Sequence, residues 1–101
     1  MVDKKISINW EDKAKVQFAD ACRYIRKDSP KNSLKVKKEI IEAVGKLELQ
    51  PKKHPPDKYK QNNNGQYRAF ELHHYRVTYR VLSSEIKILT LRHTSMEPHE
   101  Y

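Results

Sequence analysis

The sequence predicts an α+β domain of order β-αα-βββ, with a helical hairpin packed on one face of a small, mostly antiparallel sheet. Three observations predict it. Apolar residues alternate at period two near the N-terminus and again between Tyr67 and Arg92. Between these stretches the apolar spacing becomes helical, and Asp28-Ser29-Pro30 breaks it once. A loop rich in Pro and Asn then separates the helices from the last three strands.

The elements follow in order. Ile6, Ile8 and Trp10 alternate with Lys5, Ser7 and Asn9, a short first strand over about residues 4–10. Ala14, Phe18, Ala21 and Ile25, with Cys22 beside them, mark an amphipathic helix over 11–27. Ser29 suits the N-cap of a second helix and Pro30 its first position. That helix carries Val36, Ile40, Ala43 and Leu47 as its stripe, runs to about Leu49, and folds back antiparallel to the first. Pro51, Pro55, Pro56, Asn62-Asn63-Asn64 and Gly65 make 50–66 a long loop, a length often tied to function. Tyr67 to Leu72 is the next strand. His74 to Leu82 follows, with Tyr75, Val77, Tyr79 and Val81 on one face and His74, Arg76, Thr78 and Arg80 on the other. Ser83-Ser84-Glu85 turns into a last strand, Ile86 to Arg92. Ile86 and Ile88 alternate with Leu89 and Leu91, which reads as a central strand covered on both faces. His93 to Tyr101 reads as an irregular tail over the end of the sheet. The sheet face away from the helices is left for function.

Composition bounds the function. A chain of 101 residues with 37% hydrophobic and 34% charged residues suits one folded domain, 1–101. No apolar run approaches the ~20 residues that cross a bilayer, and no apolar segment follows the N-terminus as a signal would, so the cytoplasm is the expected compartment. The single cysteine, Cys22, offers no internal disulfide and no zinc cluster. Adjacent His73 and His74 would point to opposite faces of a strand, and no ligand set converges with them, so neither metal nor cofactor is expected. The two glycines leave no phosphate loop, and no paired carboxylates are placed in a basic cleft. Kinase and glycosidase chemistry is therefore unsupported.

The net charge is +8. In the first half acids and bases mix along the helices. From Lys52 to Arg80, seven bases face only Asp57 and Glu71. Lys52, Lys53, Lys58, Lys60, Arg80 and Arg92, with Arg68 and Arg76, form the candidate surface for a nucleic acid or an acidic protein. Tyr59, Tyr67 and Tyr101 offer stacking surfaces, although Tyr67 equally suits the core. His93, at a strand end beside Arg92, suits either proton transfer or capping of the strand backbone.

These elements, together with Tyr67-Arg68-Ala69-Phe70, His74-Tyr75-Arg76-Val77-Thr78-Tyr79-Arg80-Val81 and Ile86-Lys87-Ile88-Leu89-Thr90-Leu91-Arg92-His93 followed by Glu97-Pro98, resemble the RelE/ParE superfamily of toxins from type II toxin–antitoxin, or plasmid stabilisation, systems. The resemblance covers nearly the whole chain. It implies a growth-inhibiting toxin, with a cognate antitoxin as partner and no membrane or small-molecule substrate. ParE-like members bind DNA gyrase. RelE-like members cut messenger RNA on the ribosome without a metal. By position, Arg68, Arg76 and Tyr101 match nuclease residues, with His93 as a further acid or base. Apolar Phe70 stands where nucleases carry a second basic residue, and Met96, after Ser95, stands near an expected arginine. The long hairpin and these departures favour the ParE-like type. RNA cleavage is the alternative, and a basic nucleic-acid-binding module without toxicity is a third reading.

Overall fold

The computed structural model describes residues 6–96 and 100–101. Its elements are β1 (Ser7–Trp10), α1 (Asp12–Asp28), α2 (Pro30–Gly45), β2 (Tyr67–Leu72), β3 (Tyr75–Val81) and β4 (Glu85–His93). The expected β-αα-βββ order is the one found. The sheet runs β1-β4-β3-β2, with β1 parallel to β4 and the other neighbours antiparallel. Residues 4 and 5 of the expected first strand, the Glu97-Pro98 pair and His99 lie outside the described residues.

Ser29 joins the two helices. Its N–H donates to the Ile25 carbonyl at 3.0 Å, and its hydroxyl accepts from Asn32 N–H at 3.1 Å. It therefore closes α1 and caps α2, with Pro30 in the first turn where no N–H is needed. Helix α2 stops at Gly45, short of the Leu49 expected, and the chain tightens into a 3-10 turn, Lys46–Glu48. Pro51 sets the outer limit of any helix here, because it disfavours the helical conformation in Gln50 before it. The tighter turn still buries Leu47 completely.

Both helices press on one face of the sheet. Ala14 and Ala21 of α1 and Val36, Ile40 and Val44 of α2 meet Phe70, Tyr75, Val77, Tyr79, Ile86, Ile88 and Leu91. Strand β4 departs from the expectation of a strand covered on both faces. Ile88 pairs with Tyr79 but Thr90 pairs with Thr78, so Leu89 is an extra residue in the ladder. This bulge shifts the alternation by one. Ile86, Ile88 and Leu91 consequently all face the helices, and each is at most 2% exposed.

The turn between β2 and β3 also departs from expectation. His73 and His74 have φ of 53° and 66°. They occupy a two-residue hairpin turn rather than alternating faces of a strand, so β3 begins at Tyr75. His73 Nε2 lies 2.6 Å from Glu39 Oε2 and ties this turn to α2.

Candidate functional site: the Asp57–Arg76 cleft

The face expected to be free is partly roofed. Asn63 organises the roof: its side chain donates to the Tyr67 carbonyl at 2.8 Å and accepts from the N–H groups of Gly65 and Tyr67. Asp57 N–H then donates to the Tyr67 carbonyl at 2.8 Å, and Pro56 bridges Arg68. The loop thus covers part of the exposed edge of β2 before crossing to the face opposite the helices. Tyr101 closes it from the other end. Its N–H donates to the Tyr59 carbonyl, and its own carbonyl accepts from Gln61 N–H at 2.7 Å. Beneath lies a cleft of about 370 Å³. Its floor includes Arg76 and Thr78 from β3 and Thr90 and Arg92 from β4, with Asp57, Tyr59 and Tyr101 at its wall.

Arg76 is the centre of this cleft. Its Nη2 donates to Asp57 Oδ1 at 2.8 Å, and its Nη1 donates to Glu71 Oε2 at 3.0 Å. The Tyr59 ring lies 4.9 Å from the guanidinium carbon. Tyr101 donates its hydroxyl to Asp57 Oδ2 at 2.6 Å, and Tyr59 N–H donates to Oδ1 at 3.1 Å. The Asp57 side chain is 1% exposed and that of Arg76 19%. Arg76, expected on an open face, is therefore an enclosed, twice-paired cation. Two carboxylates do occupy the basic cleft, contrary to the sequence reading.

The charge states follow from these contacts. Burial alone would raise the Asp57 carboxyl, but the bonds from Tyr101, Arg76 and Tyr59 outweigh it and hold the group below its ordinary value. Burial opposes the charge on Arg76, and the two carboxylates more than restore it. Burial, and then the bond to the Asp57 carboxylate, pushes the Tyr101 hydroxyl well above its ordinary value. Tyr101 stays protonated and acts here as a donor, not as a base.

The remaining candidate residues are divided. Arg68 pairs with Tyr79 across the ladder and so lies on the helix side of the sheet, apart from Arg76. It donates to the carbonyls of Gly65 at 3.1 Å and His54 at 2.7 Å, which staples the loop to β2. Lys52 and Lys53 are exposed beside it. Lys58 lies over the Tyr59 ring, while Lys60 lies 4.7 Å from the Tyr67 ring and 5.3 Å from that of Tyr101. Arg80 covers Tyr67 and donates to Gln66 Oε1. The aromatic surfaces offered for bases are thus already faced by the protein's own cations. Arg92 pairs with Arg76 in register and reaches Met96 Sδ at 3.8 Å. His93 Nδ1 accepts from Ser95 N–H at 3.0 Å, which is the strand-end capping role. Cys22 is partly buried, and burial pushes its thiol up despite Lys37 and Arg26. Among the described residues, no three or more His, Cys, Asp or Glu side chains are grouped to hold a metal.

Asp57 is the residue that sequence reasoning passed over. It entered only as one negative charge among seven positive ones. Its sole local signal was its place as an acid within a basic, Pro-rich loop. Nothing in the spacing ties residue 57 to residue 76.

The fold and this cleft can be set beside known proteins. A family model described as the ParE toxin of the type II toxin–antitoxin system, parDE, matches residues 8–98. The chain belongs to this ParE toxin family. The chromosomal ParDE toxin–antitoxin system of P. aeruginosa has a chain that superposes with a TM-score of 0.69 at 21% identity, covering 90% of this chain and 98% of that one. A chain of the YoeB dimer from Staphylococcus aureus gives a TM-score of 0.55 at 20% identity, covering 88% and 97%. At such identities both likenesses concern the fold alone. Comparison with curated proteins gives no match. Among the described residues, no helix is long and apolar enough to cross a membrane.

Proposed function

We propose that this ParE-family toxin inhibits growth by binding an essential protein target such as DNA gyrase, and that a cognate antitoxin neutralises it. One observation carries the choice of binding over RNA cleavage. The arginine best placed for a scissile phosphate, Arg76, already serves two carboxylates. A phosphodiester brought to it would have to displace Asp57 from Nη2 against the repulsion of two carboxylates. Arg68 lies on the other face of the sheet, and Tyr101 is a bound donor. Transition-state stabilisation needs cations aimed at the developing charge, and these three residues are not so arranged. Lys52, Lys53 and Lys58 remain exposed, as do hairpin lysines such as Lys35 and Lys38, and such charges can steer an acidic partner or DNA in the target complex.

Induced expression in bacterial cells tests the reading, with messenger RNA integrity and the DNA-damage response followed together. Intact transcripts with DNA breaks are expected. Codon-phased transcript cleavage would replace the reading with the ribosome-dependent nuclease.

A further inference from the structure

The donor geometry around Arg76 is incomplete in one direction. The Nε–Nη2 edge of a guanidinium can grip two oxygens of one anion. Here Nη2 is used by Asp57 Oδ1, while Nε is buried and has no partner among the described residues. Asp57 serves only one of them: its Oδ1 takes Nη2 and Tyr59 N–H, and its Oδ2 is turned to the Tyr101 hydroxyl. The other polar groups nearby also favour an anion. The hydroxyls of Thr78 and Thr90 meet at 2.5 Å within the cleft, and Arg92 stands opposite Arg76 on the neighbouring strand. Among the described residues, Asp57 and Glu71 are the only acids lining the cleft, and both are bonded to Arg76. A buried carboxylate there occupies the position that an external anion would take.

We propose that the cleft is a phosphate-type anion site closed from within by the Asp57 carboxylate. The inference rests on the binding reading above and deepens it: Asp57 is the element that keeps Arg76 away from phosphate. A phosphate replacing Asp57 would take Nη2 and the orphaned Nε together. Tyr101 would lose its acceptor on Asp57 and could donate to the newcomer instead. Glu71 is 55% exposed and sits on the far side of the guanidinium, on Nη1, so it need not move.

Titration of the full chain with inorganic phosphate, by calorimetry at neutral pH and low salt, tests this. The Arg76 Nε–H signal would be followed by NMR in the same samples. Asp57→Asn should bind phosphate about tenfold or more tightly than the unsubstituted chain, with the Nε–H signal moving on saturation. Asp12→Asn removes the same charge from a fully exposed site and should leave the affinity unchanged. Asp57→Ser removes the same carboxylate and carries the test if Asp57→Asn does not fold. Tyr101→Phe frees Asp57 Oδ2 to take Nε as well and removes a donor to the phosphate, so it should give no gain. An equal gain in Asp12→Asn or Tyr101→Phe would overturn the proposal, as would the absence of gain in the folded Asp57 variant. Such a failure alongside intact transcripts in cells would remove only the masking role. Transcript cleavage would remove the binding reading whatever the titration gives.

Discussion

Replacing Arg76 with alanine would strand a buried charge. The Asp57 carboxylate is 1% exposed and receives bonds from Arg76, Tyr101 and Tyr59. Removing one partner of a buried pair costs ~3–5 kcal/mol, most of it the penalty of the charge left behind. Two donors to Asp57 survive, and the lost contact to Glu71 is half-exposed and worth ~0.5 kcal/mol. The expected loss is therefore about 3 kcal/mol at pH 7, or on the order of 15 °C in Tm for a chain of this size. The pH dependence has a definite sign. A carboxyl held below its ordinary value contributes stability above an unfolded value of ~4, and this contribution disappears as the pH falls through the lowered folded value. In Arg76→Ala the uncompensated burial acts in the opposite direction, so acid relieves the variant while it weakens the parent. The gap should be widest near pH 7 and narrow toward pH 3. Denaturant unfolding followed by circular dichroism at both pH values measures it. A gap below ~1 kcal/mol at pH 7, or one unchanged at pH 3, would refute the buried-pair reasoning. The double variant Arg76→Met/Asp57→Leu removes both charges but orphans the Tyr101 hydroxyl and the Tyr59 N–H, so it should recover only part of the loss.

Two further outcomes are expected. His74 is exposed with φ of 66°, a conformation that glycine adopts freely, so His74→Gly should stabilise the hairpin by about 0.5–1 kcal/mol and raise Tm by a few degrees. A fall in Tm would mean that the ring contact with His93 outweighs the backbone strain. Gln17 Oε1 accepts from Leu91 N–H at 2.8 Å, beyond the last residue of β1 that pairs with β4. Gln17→Leu should leave that amide without its acceptor, cost about 1–2 kcal/mol, and speed hydrogen exchange at Leu91 about tenfold. Unchanged exchange at Leu91 would show that the bond carries no protection.

Much of the framework was legible because it depends on local periodicity. Helix α1 and strands β2 and β3 lie within a residue of their expected positions, and the Ser29-Pro30 junction was readable as a cap followed by the one position where proline suits a helix. Strand β4 misled because a bulge defeats alternation. Leu89 and Leu91 look like a second apolar face until the register with β3 shows that Leu89 is the extra residue. The two histidines of the turn misled because positive φ is uncommon outside glycine, and even histidine, which is enriched there, takes it only in a minority of cases. The cleft was the least legible part. Arg76 could be placed on a strand face, but its pairing with Asp57 spans nineteen residues and a loop without regular structure.

Apolar spacing and capping residues in the sequence alone were sufficient for the β-αα-βββ order, which is written in neighbours two, three or four residues apart, and the residue motifs between Tyr67 and His93 added the family resemblance. The tertiary structure decided the charge arrangement. Which arginine is open and which is bound depends on where the 50–66 loop crosses the sheet and where Tyr101 returns to meet it. Burial then turned one acid among many bases into the partner of Arg76, because a carboxylate and a guanidinium removed from water must satisfy each other.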